Sequence, residues 1–333
     1  MKKIAIIGNR GHLGIALDGI MKTRDCEIVG IHGEGAAESA ATLGKAGIAA
    51  RVFDGGWRGM LDRAKPEILV ACPPFEEHAE VAAEALGRGV HCFCEKPVAT
   101  TLEGLAKVAE TSARNGSAKL AQMCGPHYDA GMWPAAKLAR ELGEARCLSA
   151  QKSYKLGRRE DFFTRRETSS GLFPWVGIHA VSWLYFFSGK RRFKSVSAFH
   201  SAEFNGGHGD LEVSGGALFR FEGGAGAAMT ADYLRPENPA AGHGDDRLRA
   251  AGTGGVLDVQ GGRCRFTSSD RDEFFDEPPP RGLFEDFLRA VDGLDSNILL
   301  NRDVLRVTQA ALLARESADL GGAALDIPEI FYD

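Results

Sequence analysis

The sequence has no excess of basic charge, no cysteine spacing typical of a metal site or a disulfide framework, and no unbroken apolar run of membrane-spanning length. Lys and Arg total 40 against 45 Asp and Glu, a net charge of −5. Without a basic excess, the chain lacks the electrostatic footprint for nucleic acid or an anionic membrane surface. With 333 residues, 44% apolar and 26% charged, it is expected to fold into about two domains.

The seven cysteines are odd in number and scattered, which argues against a disulfide-stapled extracellular scaffold. No pair has CxxC or zinc-ribbon spacing, and the remaining histidines show no ligand-type spacing, so no metal site is expected. The pattern predicts free thiols in a reducing, cytoplasmic compartment. The cysteines are Cys26, Cys72, Cys92, Cys94, Cys124, Cys147 and Cys264.

The apolar segments also argue against a membrane partner. The run at residues 4–7 ends at Gly8, too early for the apolar region of a signal peptide. Residues 171–187 are nearly all apolar but contain Pro174, His179 and Ser182. A membrane span requires about 20 apolar residues without such interruptions, so the segment is predicted to be a buried helix.

The first 125 residues alternate short apolar runs with helical stretches, which predicts a parallel, doubly wound α/β sheet of the Rossmann type. Clear strands are expected at residues 3–7, 27–31, 68–71, 90–94 and 119–123, with a weaker one at 49–53. Helices are expected at 76–86 and from a capping-box pattern at Thr101 onward. Such strands are buried on both faces, which explains their nearly continuous apolar character.

After about residue 145 the predicted strands are longer and few helices separate them, which predicts a large, open, mostly antiparallel sheet. The strands are expected at 147–154, 194–204, 211–221 and 225–233, and two helices at 283–291 and 303–317 close the chain. Residues 236–246 are interpreted as a loop. We therefore expect a Rossmann domain at 1–125 and an α/β domain at 126–333, with closing helices that pack on either half.

The exit of the first strand carries the strongest local signal. Gly8-Asn9-Arg10-Gly11-His12-Leu13-Gly14 follows it, a GxxGxxG arrangement. Glycines permit a tight turn and a close approach of backbone to a pyrophosphate, which binds at the N-terminus of the next helix. This pattern predicts a dinucleotide site, with cofactor contacts from Gly8, Arg10, Gly11, His12 and Leu13.

The end of the second strand leaves the choice between NAD and NADP open. An acid is expected there to bind the adenine ribose, but the chain has His32 and Gly33, with Glu34 one residue late. Without that acid a 2′-phosphate is less strongly repelled, and Arg10 is a group that can approach one. His32 and Gly33 are therefore included in the predicted cofactor site.

Two further strand ends contribute to the predicted site. Cys72-Pro73-Pro74 follows the strand at 68–71, and Glu95-Lys96-Pro97 follows the strand at 90–94. Ligands of open α/β sheets bind at the carboxyl ends of the strands. We therefore expect Cys72, Pro73, Pro74, Glu95 and Lys96 at the cofactor. His78 either lines this site or is a structural helix residue.

Taken together, these motifs resemble the Gfo/Idh/MocA family, the relatives of glucose–fructose oxidoreductase and inositol dehydrogenase. The resemblance rests above all on Glu95-Lys96-Pro97, and continues through Gly177-Ile178-His179 and the late Gly252-Thr253-Gly254-Gly255 strand pair. It implies NAD- or NADP-dependent oxidation or reduction of sugars, cyclitols or related polyols and ketones. It also implies a catalytic Lys at Lys96 and a catalytic His at His179, which would act as the acid/base pair.

Three positions depart from the family pattern. The family commonly has an Asp four residues before the histidine and another three residues after it, where this chain has Trp175 and Ser182. The usual Pro-Asn turn is also altered, since Phe75 follows Pro74. Trp175 cannot accept the imidazole proton, but it offers a stacking surface for a sugar ring. Trp175, His127, Tyr128 and Tyr154 are the predicted substrate contacts.

Three functions are compatible with these residues. The first is an NAD(P)-dependent oxidoreductase acting on a carbohydrate-like alcohol or ketone. The second is a redox-neutral lyase or hydrolase that oxidises a carbohydrate transiently and regenerates its nicotinamide. The third is a non-catalytic nucleotide-binding sensor. In each case the open sheet leaves a face that a second copy would cover, so we expect a homodimer or homotetramer.

Overall fold

The computed structural model describes residues 1–125, 128–238, 240 and 242–330, which divide into two compact units. The first unit consists chiefly of Met1–Met123 and Arg281–Leu305, and the second of Cys124–Pro280 and Arg306–Glu329.

The first unit is built on a six-stranded, fully parallel sheet in the order β3-β2-β1-β4-β5-β6. The order reverses direction between β1 and β4, the switch point beside which doubly wound sheets bind their ligands. All six expected strands are present, so the predicted Rossmann-type sheet is confirmed. The strands are β1 Lys2–Ile7, β2 Cys26–His32, β3 Ala50–Val52, β4 Ile68–Ala71, β5 His91–Cys94 and β6 Leu120–Gln122.

Helices connect successive strands of this sheet. The Thr101 hydroxyl accepts a hydrogen bond from the Gly104 amide at 3.0 Å, the N-cap that starts the fifth helix. The helix expected at 76–86 instead starts with a 3₁₀ turn, Phe75–Glu77. The helices are α1 Leu13–Thr23, α2 Ala36–Lys45, α3 Trp57–Ala64, α4 His78–Gly87 and α5 Leu102–Arg114.

A segment near the end of the chain completes this unit. Helix α9 (Leu283–Val291; α6 to α8 belong to the second unit) packs on α1. A Cβ at Gly19 would lie 2.9 Å from the Phe284 side chain, so only glycine permits this approach. The Phe284 and Phe287 rings lie 5.1 and 5.2 Å from that of Phe93 on β5.

The second unit is built on a nine-stranded sheet in the order β14-β13-β12-β11-β7-β10-β9-β8-β15. Its neighbours are antiparallel except for the central pair, β7 and β10, which is parallel. The predicted mostly antiparallel sheet is therefore confirmed. The strands are β7 Ala145–Lys155, β8 Phe193–Ser201, β9 Ser214–Phe221, β10 Gly226–Arg235, β11 Gly244–Gly252, β12 Val256–Gln260, β13 Arg263–Thr267, β14 Asp272–Phe275 and β15 Leu325–Asp326.

Several predicted limits in this unit were wrong. The strand expected at 194–204 ends at Ser201, because the chain turns at Phe204, which has φ 64°. The strand expected from 211 begins at Ser214, and β11 begins at Gly244 inside the segment interpreted as a loop. Strands β13 and β14 were not predicted. In the structure, the residues of β13 alternate between exposed and buried, as in a strand with one covered face.

The apolar stretch at 171–187 forms a π-helical turn, Phe173–Gly177, followed by helix α8 (Ile178–Phe187). Helix α8 packs on β7 and β10, so its apolar residues cover the central parallel pair of strands. Across the described residues, no helix is both long enough and apolar enough to cross a bilayer. The remaining helices are α6 Met132–Leu138, α7 Arg166–Ser169 and α10 Arg302–Asp319.

Candidate cofactor and substrate residues

The glycine-rich loop after β1 packs its backbone against the end of β4. The Arg10 amide donates to the Cys72 carbonyl at 2.9 Å, and the Gly8 amide donates to the His32 carbonyl at 2.8 Å. Gly8 has φ 71°, and a Cβ there would lie 2.2 Å from the Cys72 carbonyl oxygen. The loop therefore requires glycine at this position for two separate reasons, its backbone angle and the absence of space.

A buried carboxylate fixes the second half of the loop. Glu95, which is fully buried, accepts hydrogen bonds from the His12 amide and, at 2.9 Å, from the Lys96 amide. The His12 Nδ1 lies 3.1 Å from both of its carboxylate oxygens. A Cβ at Gly11 would lie 2.5 Å from the same carboxylate. Glu95 thus ties the β1–α1 loop to the end of β5, and the direct cofactor contact expected of it stays a prediction.

The pKa of Glu95 reflects this arrangement. Burial alone would raise the pKa of the carboxyl, but the His12 imidazole, the Lys96 ammonium and the His12 amide together hold it below its usual value. A carboxyl whose pKa is lower in the folded than in the unfolded state stabilises the fold above the unfolded-state pKa, and that stabilisation is lost as the pH falls through the folded-state pKa.

We therefore expect the variant Glu95→Gln to lower the free energy of unfolding at pH 7 by about 2 kcal/mol, because an amide cannot accept from all of these donors. The difference from wild type should narrow below about pH 4.3, the usual pKa of an unfolded Glu. Urea unfolding at several pH values measures this. The exposed Glu110, paired only with Arg114 among the described residues, is the control, and Glu110→Gln should cost less than about 0.5 kcal/mol. A deficit for Glu95→Gln that grows toward acid would contradict the assignment.

Arg10 and Glu34 form an ion pair at the end of β2. The Arg10 Nε lies 2.9 Å from a Glu34 carboxylate oxygen. Glu34, one residue late in the sequence pattern, thus lies next to the group that was considered for a 2′-phosphate. His32 Nδ1 lies 3.1 Å from the Phe53 carbonyl, and Gly33 has φ 93°.

Gly35 packs against the glycine-rich loop and was not among the residues predicted for the cofactor site. It has φ 69°, and a Cβ there would lie 1.9 Å from the Asn9 side chain. Its signal was its place beside Gly33, two glycines within three residues directly after a strand.

The α1 N-terminus follows this loop at Leu13. Throughout residues 1–125, which the structure describes in full, α1 has no side-chain cap and no acidic residue in its first turn. The Glu95 carboxylate already accepts from the amide of the N-cap residue His12, so an anion would meet the positive end of the dipole at the amides of the first turn. Together with a loop whose glycines pack directly on Cys72 and Glu95, this fits a dinucleotide pyrophosphate.

His78 contacts the segments that follow two strands, β4 and β5. Its ring nitrogens lie 2.7 Å from the Pro97 carbonyl and 3.2 Å from the Pro73 carbonyl, and the side chain is fully buried. Burial lowers the pKa of this imidazole. Of the two roles considered for His78, this geometry favours the structural one, as a support for the carbonyl groups of Pro73 and Pro97.

Lys96 itself is only 1% exposed. It lies directly after β5, between the buried Glu95 and Pro97, at the carboxyl edge of the parallel sheet. A buried ammonium is retained only with partners that stabilise its charge. Its neighbour in sequence, Glu95, supplies a negative charge. The attraction between the two charges is one of the causes that lower the pKa of Glu95.

In the second unit, the π-helical turn brings Trp175 and His179 to the start of α8. Both side chains are half-buried, and the Trp175 ring lies 5.7 Å from that of Phe163. His179 Nδ1 lies 3.5 Å from the Cys124 sulfur, and Ser182 Oγ donates to the His179 carbonyl at 2.7 Å. Cys124 has no role among the residues predicted from the sequence, and nothing in its local sequence signals one.

Tyr154 lies beside a buried lysine on β7 that the sequence analysis also missed. Lys152 is 3% exposed, and its ammonium lies 2.5 Å from Asp246 and 5.0 Å from the centres of the Tyr154 and Trp183 rings. Burial opposes the charge, yet Tyr154, Asp129 and Asp246 outweigh it and raise the pKa of Lys152. The signal available in the sequence was a lysine at an inward-facing position of an alternating strand.

Of the other two predicted substrate residues, the structure describes Tyr128. Tyr128 is half-buried, and its amide donates to the Gly125 carbonyl at 3.4 Å. His127 lies outside the described residues. In the described part of the chain no group of three or more His, Cys, Asp or Glu side chains is placed to hold a metal ion.

Family models match both units of the chain. Residues 2–121 match the model of an oxidoreductase family with an NAD-binding Rossmann fold, and residues 138–258 match the GFO/IDH/MocA C-terminal domain. A solved structure of an oxidoreductase from Thermotoga maritima has a TM-score of 0.88 and 36% identity, covering 98% of this chain and 100% of its own.

Two curated relatives match over shorter segments. Inositol 2-dehydrogenase of Paracoccus denitrificans is 30% identical over 93 residues, 28% of this chain and 27% of its own length. Glycosyl hydrolase family 109 protein 1 of Akkermansia muciniphila is 28% identical over 113 residues, 32% of this chain and 23% of its own. The match thus spans only about a quarter of each curated relative.

Proposed function

Because the chain belongs to the Gfo/Idh/MocA family of NAD-binding oxidoreductases, we propose that it interconverts an alcohol and a ketone on a sugar, a cyclitol or a related polyol. The observation that carries the proposal is the cradle, the loop at residues 8–14, which packs closely at Gly8 and Gly11 against the ends of β4 and β5. The cradle thereby contacts Glu95, whose carboxylate accepts from the amide of the next residue, Lys96. Such a loop serves to admit a dinucleotide backbone.

The residues that would hold the cofactor are those of this cradle. The backbone at Gly11 and Leu13 and the N-terminus of α1 suit the pyrophosphate, and Gly33 with Glu34 suits the adenine ribose. When bound, the nicotinamide supplies hydride transfer.

We assign the proton chemistry to two side chains. His179 takes the proton of the substrate hydroxyl at an imidazole nitrogen, since imidazole titrates near neutrality. Lys96 donates a hydrogen bond to the oxygen on which negative charge develops, and its buried surroundings strengthen that interaction. The half-buried Trp175, Tyr128 and Tyr154 are assigned to the substrate ring and its hydroxyl groups, as is His127 from the sequence pattern alone.

We propose NAD as the preferred cofactor, because the Glu34 carboxylate occupies the end of β2 and neutralises Arg10. A 2′-phosphate would meet a negative charge there, and Arg10 is already engaged. The variant Glu34→Gln should therefore strengthen NADPH binding by about fivefold to tenfold, on the order of 1 kcal/mol, and leave NADH binding within about twofold. Fluorescence titration with both cofactors measures this. Unchanged NADPH affinity would remove the assigned role of Glu34.

The proposed activity is tested by titrating the purified protein with NADH, then assaying a panel of aldoses and cyclitols, with myo-inositol included, for NADH formation from NAD. Micromolar NADH binding with turnover of a panel member supports the proposal. A folded, cofactor-free protein that binds neither NADH nor NADPH would refute it.

The second candidate is the redox-neutral reaction on a glycoside, favoured by the relative named as a family 109 glycosyl hydrolase. Release of the aglycone without net NADH accumulation distinguishes it from a dehydrogenase.

We also propose that a second copy covers the outward face of the nine-stranded sheet. Phe199 and Leu218, 64% and 63% exposed, lie on neighbouring strands of this face. The mass of the protein in solution tests this.

A further inference from the structure

We propose that Cys124 is a positioning residue for His179: its sulfur accepts the imidazole Nδ1–H, which leaves the lone pair on Nε2 as the base. The inference rests on the proposed function, in which His179 accepts the substrate proton. It assigns the tautomer of that histidine and the group that sets it, neither of which follows from the motif alone.

The contacts that support this lie entirely within the second unit. The Cys124 sulfur lies 3.5 Å from His179 Nδ1, 3.4 Å from Ser182 Oγ and 3.9 Å from the Ile178 carbonyl oxygen. The cysteine is 2% exposed. At these distances a buried thiol can both donate and accept a hydrogen bond, since its S–H is a weak donor and its sulfur a weak acceptor.

The proton of the serine hydroxyl limits how the thiol proton can be placed. The Ser182 hydroxyl uses its one proton on the His179 carbonyl, at 2.7 Å, so its oxygen can act only as an acceptor toward the thiol. The single thiol proton can be given to this oxygen at 3.4 Å, to His179 Nδ1 at 3.5 Å or to the Ile178 carbonyl oxygen at 3.9 Å. We take the thiol proton to be given to the nearer serine oxygen, at 3.4 Å. A sulfur lone pair then faces Nδ1, and the imidazole proton lies on Nδ1.

The chemical consequence is an oriented but uncharged support. Trp175, one turn before His179, has no acceptor for an imidazole proton. A thiol fixes the ring and its tautomer without adding the negative charge that would stabilise imidazolium. The base is thereby directed to Nε2, which lies on the far side of the ring from Nδ1.

The test uses ¹⁵N-histidine NMR and kinetics on four variants. At about pH 8.5, above the ordinary imidazole pKa of about 6.5, wild-type His179 should show protonated Nδ1. Cys124→Ser should keep this tautomer, and Cys124→Ala should show exchange between both. Ser182→Ala removes the nearer thiol acceptor and should shift the equilibrium toward protonated Nε2. Cys264 is a buried thiol on β13 in the same unit. The variant Cys264→Ala is the matched control and should leave both the His179 tautomer and kcat unchanged.

Kinetics supplies the second readout. Cys124→Ala should lower kcat by about tenfold to a hundredfold, the size of the effect known for groups that orient metal-bound imidazoles, with KM within about twofold. Cys124→Ser should recover most of kcat. Protonated Nε2 in the wild type, or wild-type kcat in Cys124→Ala, would overturn the inference.

The NMR result also separates this inference from the proposed function. If His179→Ala keeps full turnover, the function assigned to His179 fails, whereas the tautomer spectra still decide whether Cys124 sets the ring. If His179→Ala is inactive and the tautomer is indifferent to Cys124, the function stands and the positioning role of Cys124 fails.

Discussion

The variant His179→Ala should lose about a hundredfold to ten thousandfold in kcat, the contribution of a positioned general base. Removal of the imidazole leaves the substrate hydroxyl proton to be taken by water. NADH binding should remain within about twofold of wild type, because the cofactor residues proposed above all lie in the first unit. Steady-state kinetics and fluorescence titration on the same preparation measure both quantities.

A histidine of the same unit provides the control. His208 lies in a turn before β9 and has no assigned role, so His208→Ala should leave kcat within about twofold. Exogenous imidazole should partly restore His179→Ala and have no effect on His208→Ala. Wild-type turnover in His179→Ala with the fold intact would refute the base assignment.

The sequence predicted all six strands of the first unit, and the reason is physical. Strands such as Ile68–Ala71 are buried on both faces, so they appear as continuous apolar runs bounded by glycine or proline. The glycine loop was predictable because a backbone angle such as that of Gly8 and a contact with Cys72 leave no alternative residue. Local chemistry determined both features.

The second unit was less predictable because its pairing is non-local. The parallel contact of β7 with β10 joins strands separated by α8 and an antiparallel hairpin, and no local pattern encodes that register. The limits of β8 and β9 depended on where the chain turned around Phe204, a residue whose apolar character favoured a longer strand.

The site residues follow the same division. Motif residues such as Lys96 and His179 were visible because their sequence neighbours are distinctive. Lys152 and Cys124 were not, because their partners come from distant strands and helices: Asp246 for Lys152, and His179 with Ser182 for Cys124. Their significance is a property of packing.

Gly11 is the position at which a substitution should most strongly displace the backbone of the glycine-rich loop. A methyl group there would lie 2.5 Å from the Glu95 carboxylate, and that carboxylate cannot simply withdraw, since it is buried and accepts from the amides of His12 and Lys96. The backbone of the loop must therefore move. A displacement of this kind, on the order of 1 Å, misplaces the amides that are proposed to face the pyrophosphate.

The variant Gly11→Ala should accordingly weaken NADH binding by about a hundredfold, on the order of 2.7 kcal/mol. Gly47→Ala is the matched control, because Gly47 also has a positive φ, 77°, but a Cβ there would meet no described atom within 4 Å. Both variants incur the left-handed backbone cost of about 1–2 kcal/mol, so their difference isolates the steric contact. If Gly11→Ala is too unstable to titrate, the double variant Gly11→Ala/Glu95→Ala removes the clashing side chain, and adding Gly11→Ala should then cost less stability than it does in wild type. Equal NADH affinities for Gly11→Ala and Gly47→Ala would show that this loop does not hold the cofactor.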